Sequence, residues 1–122
     1  MLLTVLSEEF SVIQVSDISM IDLAISPLFI GQTTDEISVV LPTKAITVST
    51  LNREDYWKVF KIDGVLDFSL VGILAKLATI LAEQSISIFA LSTFNTDYIL
   101  VKTADFEEAK KVLLHQDYQI QE

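Results

Sequence analysis

The chain has 122 residues, half of them apolar (51%), which is ample for one packed core or two small modules sharing one. Eight basic residues stand against 17 acidic ones, for a net charge of −9, and the Lys and Arg are scattered. That balance argues against nucleic acid and against anionic membrane surfaces. There is no cysteine, which excludes disulfides, thiolate nucleophiles and thiolate metal sites and fits a reducing interior. The opening MLLTVL lacks a basic leader and is cut short by Glu8-Glu9, and no apolar run is long enough to span a bilayer, so a cytoplasmic protein is expected.

In chain order, Leu2 to Leu6 and Phe10 to Val15 read as strands joined by the turn Ser7-Glu8-Glu9. Ser16 to Ala24 reads as one or two helical turns ended by Pro27. Leu28 to Gln32 and Glu36 to Leu41 form a hairpin across Thr33-Thr34-Asp35, closed by Pro42. Thr43 to Asp55 has no sustained period and reads as an irregular connection with room for a short strand at Ile46 to Ser49. Tyr56 to Ile62 is a strand with Trp57, Val59 and Lys61 on one side and Tyr56, Phe60 and Ile62 on the other, and Asp63-Gly64 is its exit.

From Ser69 the apolar residues Leu70, Ile73, Leu74, Leu77, Ile80 and Leu81 make a helical stripe, with Lys76, Thr79 and Glu83 opposite. Asp67 and Ser69 are suited to cap it, and Gly72 is expected in its first turn, leaving that end open. Ile86 to Ser92 is too rich in branched and aromatic residues for helix and reads as a strand. Phe94-Asn95-Thr96-Asp97 then turns into a second strand, Tyr98 to Lys102. Asp105 with Glu108 resembles a capping box for a helix ending near His115, with Phe106, Ala109, Val112 and Leu113 inward. Asp117 to Gln121 closes the chain as a strand.

The second half therefore reads strand, helix, strand, strand, helix, strand. That order predicts an α+β, ferredoxin-like βαββαβ plait of four antiparallel strands covered on one face by two helices. An internal match supports a second plait. Thr34 to Val39 can be laid over Thr96 to Val101 at an offset of 62, with four of six positions identical. The expected organisation is a degenerate half over residues 1–55 and a complete module over 56–122.

The run LDFSLVGILAKLATILAEQSISIFALSTFNTDYILVKTADFEEAKKVL resembles the ACT domain, specifically small bacterial ACT-like proteins and the cytosolic arginine sensors of the CASTOR group. The likeness covers most of Tyr56 to Tyr118, and the first half joins it mainly through TTDEISVVLP. It implies a non-catalytic, allosteric regulatory module that binds a free amino acid at the interface between two ACT-like units, forms a homo-oligomer or engages a partner protein, and needs no cofactor or metal. Position by position, it places ligand contacts at Asp67, Ser69, Leu70, Val71, Gly72 and Ile73 on the helix start, and at Thr93, Phe94, Asn95, Thr96 and Asp97 on the facing hairpin. Ser85 stands where many relatives have glycine, and no glycine marks a helix start near Asp17, so two equivalent sites are not expected.

The chemistry is consistent with that assignment: amides at a helix start suit a carboxylate, and Asp97 with the carbonyls of the Thr93 to Thr96 turn suits an ammonium. Each residue also has a plainer reading. Gly72 can serve close packing, Asp97 and Asp35 can bond their own turns, Asp67 and Ser69 can be caps, and His115 can favour a helix end. No phosphate loop, paired histidines or G-x-S-x-G motif points to an enzyme. A ligand-free interaction module that dimerises through sheet edges is the rival reading.

Overall fold

A computed structural model describes residues 1–63 and 72–122. The strands are β1 (Leu2–Val5), β2 (Phe10–Val15), β3 (Phe29–Gln32), β4 (Ile37–Pro42), β5 (Asn52–Ile62), β6 (Ile88–Ser92), β7 (Asp97–Lys102) and β8 (Gln119–Gln121), and the helices are α1 (Ile73–Glu83) and α2 (Phe106–His115). Two compact units emerge: an N-terminal unit, Glu8–Trp57, and a C-terminal unit made of Met1–Ser7 with Lys58–Glu122. The division expected at 55/56 followed chain order, whereas these units interleave.

In the N-terminal unit the strands lie in the order β3, β4, β2, β5, all antiparallel. This is the strand order of a plait with its helices reduced to single 3-10 turns, Ile18–Met20 and Thr43–Ala45. The helical turns expected over 16–24 shrink because aspartates compete for the backbone: Asp17 accepts from the Ser19 amide and Asp22 from the Ala24 amide, both at 2.9 Å. The Ser19 bond also holds the Asp17 carboxyl below its ordinary pKa. Ile18, Ile25, Leu28, Ile46 and Val48 still cover a core of Ile13, Val15, Ile21, Val39 and Leu41.

The strand expected at Tyr56 begins four residues earlier, at Asn52, while Ile46 to Ser49 forms none. Phe10 faces Trp57 and Val12 faces Glu54, so Asp55 and Tyr56 together oppose Ser11. This is a β-bulge, and Tyr56 carries it in a left-handed conformation, φ 70°. Sitting in the bulge with that backbone, Tyr56 is 67% exposed and is not buried with Phe60 and Ile62, on whose side of the strand the alternation puts it. Ser11, fully buried at the bulge, donates to the Asp55 carboxylate at 2.5 Å and shares a 2.7 Å hydrogen bond with the Thr43 hydroxyl. Arg53 pairs with the same Asp55 oxygen at 2.8 Å.

In the C-terminal unit the order is β6, β7, β5, β1, β8. Four antiparallel strands were expected, but a fifth is present. β1 enters between β5 and β8, antiparallel to the first (Leu3 opposite Ile62) and parallel to the second (Leu3 opposite Ile120). Burial of Leu3 and Val5 in this core accounts for it. Leu77 and Leu81 of α1 are fully buried, with Ile73, Leu74 and Ile80 packed beside them, as the stripe predicts, and Phe106, Ala109 and Leu113 do the same for α2. The expected capping box at Asp105 is absent: a 3-10 turn, Thr103–Asp105, runs straight into α2, so Asp105 has helical backbone and makes no side-chain cap.

The two hairpins superimpose in register at an offset of 60. Phe29 opposite Val40 corresponds to Phe89 opposite Leu100, and Gln32 opposite Ile37 to Ser92 opposite Asp97. The 3-10 turns after β4 and β7 obey the same spacing. The offset of 62 read from the sequence kept every residue on its correct face but displaced the turn by two, because a period-two pattern repeats at every even shift.

Two stability predictions follow from this geometry. Tyr56→Gly, which relieves the left-handed strain, gives a higher urea midpoint than Tyr56→Val, the pair differing by about 1–2 kcal/mol. Thr96, buried, donates its hydroxyl to the Ile62 carbonyl at 2.6 Å, and Thr96→Val strands that acceptor, lowering unfolding free energy by about 1–3 kcal/mol.

Candidate functional site

The end of the C-terminal unit where α1 begins is where the sequence places ligand contacts. Of those residues, Asp67, Ser69, Leu70 and Val71 lie outside the described residues. Gly72 is seen, but not in the first turn of the helix. It is the residue before α1, in a left-handed conformation of φ 81° and ψ 0°, and its carbonyl accepts the Lys76 N–H at 2.8 Å. Glycine adopts that backbone without strain. The point where a β-carbon would stand has no atom of the described residues within 4 Å beyond the chain neighbours.

The hairpin turn after β6 is tightly self-bonded. Thr93 donates both its N–H, at 2.8 Å, and its hydroxyl, at 3.0 Å, to the Thr96 carbonyl. That carbonyl therefore already accepts two hydrogen bonds from its own turn. Phe94 and Asn95 stand exposed at the tip, and Asp97, half-buried, opens β7 opposite Ser92. The Thr96 hydroxyl ties this turn to the last residue of β5, at the end from which the chain leaves towards α1. At the structural offset of 60, Asp97 corresponds to Ile37 and Asp35 to Asn95, so the two aspartates matched in the sequence are not equivalent.

Ile73 lines a hollow of about 380 Å3 together with Met1, Lys76, Gln116, Asp117 and Tyr118. None of Thr93 to Asp97 lines it. The sequence puts Lys76 on the face of α1 opposite its apolar stripe and Asp117 at the start of a closing strand, with no signal that joins the two; in the structure both line this hollow. Asp117 is the left-handed residue after α2, φ 69°, its N–H donated to the Leu114 carbonyl at 3.2 Å. Ser85 does the same after α1 with φ 58°, taking the conformation glycine would supply at that position. Tyr118 is buried, and that burial pushes its phenol above its ordinary pKa, so it presents a neutral hydroxyl.

Among the described residues no group of three His, Asp or Glu side chains is placed to hold a metal, and no helix is long and apolar enough to cross a membrane.

Comparison with known proteins gives the fold a family. The chain is similar to a protein from Agobacterium tumefaciens solved by X-ray crystallography, with 25% identity and a TM-score of 0.84 over 98% of this chain and 90% of that one. It is also similar to a Vibrio cholerae protein of unknown function, described as a possible transport protein (18% identity, TM-score 0.73, 91% and 85% covered). A third likeness is to Clostridium acetobutylicum aspartate kinase, an allosteric enzyme, with 16% identity and a TM-score of 0.64 over 87% of this chain but 32% of the kinase. No curated protein sequence matches. Residues 52–115, more than half of the chain and spanning β5 to α2, match the ACT domain model, and the chain belongs to the ACT domain family.

Proposed function

We propose that the chain is a non-catalytic, cytoplasmic regulatory protein that binds a free amino acid at the α1 end of its C-terminal unit, with a second ACT-like unit closing over the ligand. ACT domains are in general regulatory amino-acid-binding modules, and family membership supports the class of ligand. The observation that carries the reading here is a left-handed glycine before α1, with no atom of the described residues within 4 Å of where its β-carbon would stand beyond the chain neighbours, next to a hollow that Ile73 lines. A ligand that fits the bound arrangement better than the free one shifts the population toward it, which is all that a sensor requires. The kinship with arginine sensors suggested by the sequence is part of the proposal, and arginine belongs in any ligand panel.

A second reading has its own support. β6 pairs only with β7 and β8 only with β1 among the described residues, which leaves two edges in the C-terminal unit for pairing with another chain.

A thermal-shift panel of the twenty common amino acids separates these readings. Ligand at a hundred times its Kd adds about 2.7 kcal/mol and moves the melting point by several degrees. A flat panel, with a dimer that persists on dilution, favours the edge-paired module. Gly72→Val costs stability through its φ and obstructs the approach, and is expected to abolish the ligand-induced shift. A full shift in that variant places the approach elsewhere.

A further inference from the structure

β3 is an outer strand of the N-terminal unit: among the described residues it pairs only with β4. An open strand edge presents backbone groups to any chain that can line up beside it, and proteins guard such edges with charged side chains, proline or bulges. β3 has none of these. From Leu23 to Thr34 the sequence carries no charged residue, Pro27 lies outside the strand, and the register of Phe29–Gln32 against β4 is unbroken.

Gly31 points the same way. Glycine weakens a strand interior, and where it stands there it marks a left-handed residue, a bulge or a close approach by another chain segment. Gly31 is not left-handed and forms no bulge, and among the described residues no atom beyond its chain neighbours lies within 4 Å of where its β-carbon would stand. The matching position in the C-terminal hairpin is Leu91, so the hairpin itself does not call for glycine. That leaves a neighbour brought from outside.

We propose that two copies of this chain pair through β3, antiparallel about a two-fold axis, with Ile30 opposite its own counterpart. An axis perpendicular to the sheet keeps every side chain on its face, and facing residues share a face, so such a pair is centred on a residue and not between two. Centred on Gly31, it would set glycine against glycine and leave the gap empty. Centred on Ile30, it sets Phe29 of each copy opposite the partner's Gly31, and an aromatic ring over a cross-strand glycine restores the packing that glycine lacks. Ile30, 38% exposed, is then covered by its own copy. A large side chain and a gap two positions apart make this edge complementary to itself, which selects a second copy as the occupant. Copies that each carry −9 repel one another, and the uncharged run from Leu23 to Thr34 is where they can meet.

The pairing is independent of any ligand. Four residues a side bury little area, so the dimer is reversible and is read by sedimentation of the full chain over a range of concentrations. Ile30 lies outside the N-terminal core, so Ile30→Lys and Ile30→Glu are expected to fold with unchanged melting points while setting like charges opposite each other. Each alone is expected to self-associate at least tenfold more weakly than the wild type, and an equimolar mixture of the two to form a heterodimer. The natural chain has no cysteine, so Ile30→Cys is expected to crosslink across the axis on mild oxidation. Gln32→Cys, whose counterpart lies about 13 Å away along the strand, is expected to stay unlinked. A wild type that is monomeric throughout, a dimer unchanged by Ile30→Lys, a mixture that fails to associate, or Gln32→Cys crosslinking as fast as Ile30→Cys overturns the pairing. None of these results bears on whether the C-terminal unit binds an amino acid.

Discussion

One strand has to serve two compact units. Asn52–Ile62 pairs with β2 through its first half and with β7 and β1 through its second, and it is buried on both faces there, Trp57 and Val59 on one and Phe60 and Ile62 on the helix-covered other. A regular strand cannot change which face its side chains take, because its period of two fixes every later side chain once the first is placed. The bulge opposite Ser11 supplies a one-residue shift between positions 52–54 and 57–62. Its cost is a left-handed tyrosine, and the hydroxyls and carboxylate of Ser11, Thr43 and Asp55 bond one another there.

The same economy shapes the C-terminal unit. Its fourth plait strand, Gln119–Gln121, has only three residues and meets β1, not β5, so the first strand of the chain bridges the gap. The Thr96 hydroxyl then fastens the β6–β7 turn to the end of β5. Strand ends, helix start and hairpin turn are fixed by hydrogen bonds between named groups, and on that frame the side chains of Ile73, Lys76, Asp117 and Tyr118 face a common recess.

Much of this was legible in the sequence, for identifiable reasons. The β3–β4 and β6–β7 hairpins have small polar turns between apolar strands, and the α1 stripe has unbroken helical spacing, so local chemistry and pattern agree. What could not be read depends on register or on backbone sign. Nothing in Leu2–Val5 announces a place between β5 and β8. Tyr56, Ser85 and Asp117 are left-handed without being glycine, and Gly72 precedes its helix where spacing alone put it inside. Of the residues proposed for the site, Gly72 and Ile73 come from the helix start and the family pattern. Lys76 and Asp117 lie 41 positions apart and line one hollow only through the packing of the unit.

The shared register of the two hairpins bears on how such a chain can lengthen or shorten. Residue i and residue i + 60 hold the same place in their hairpins, and within each strand the period of two means that codons gained or lost are tolerated readily only in pairs. A single added codon in β4 or β7 would turn the rest of that strand inside out unless a kink absorbed it. The extra residue opposite Ser11 has the form such an absorbed insertion would take.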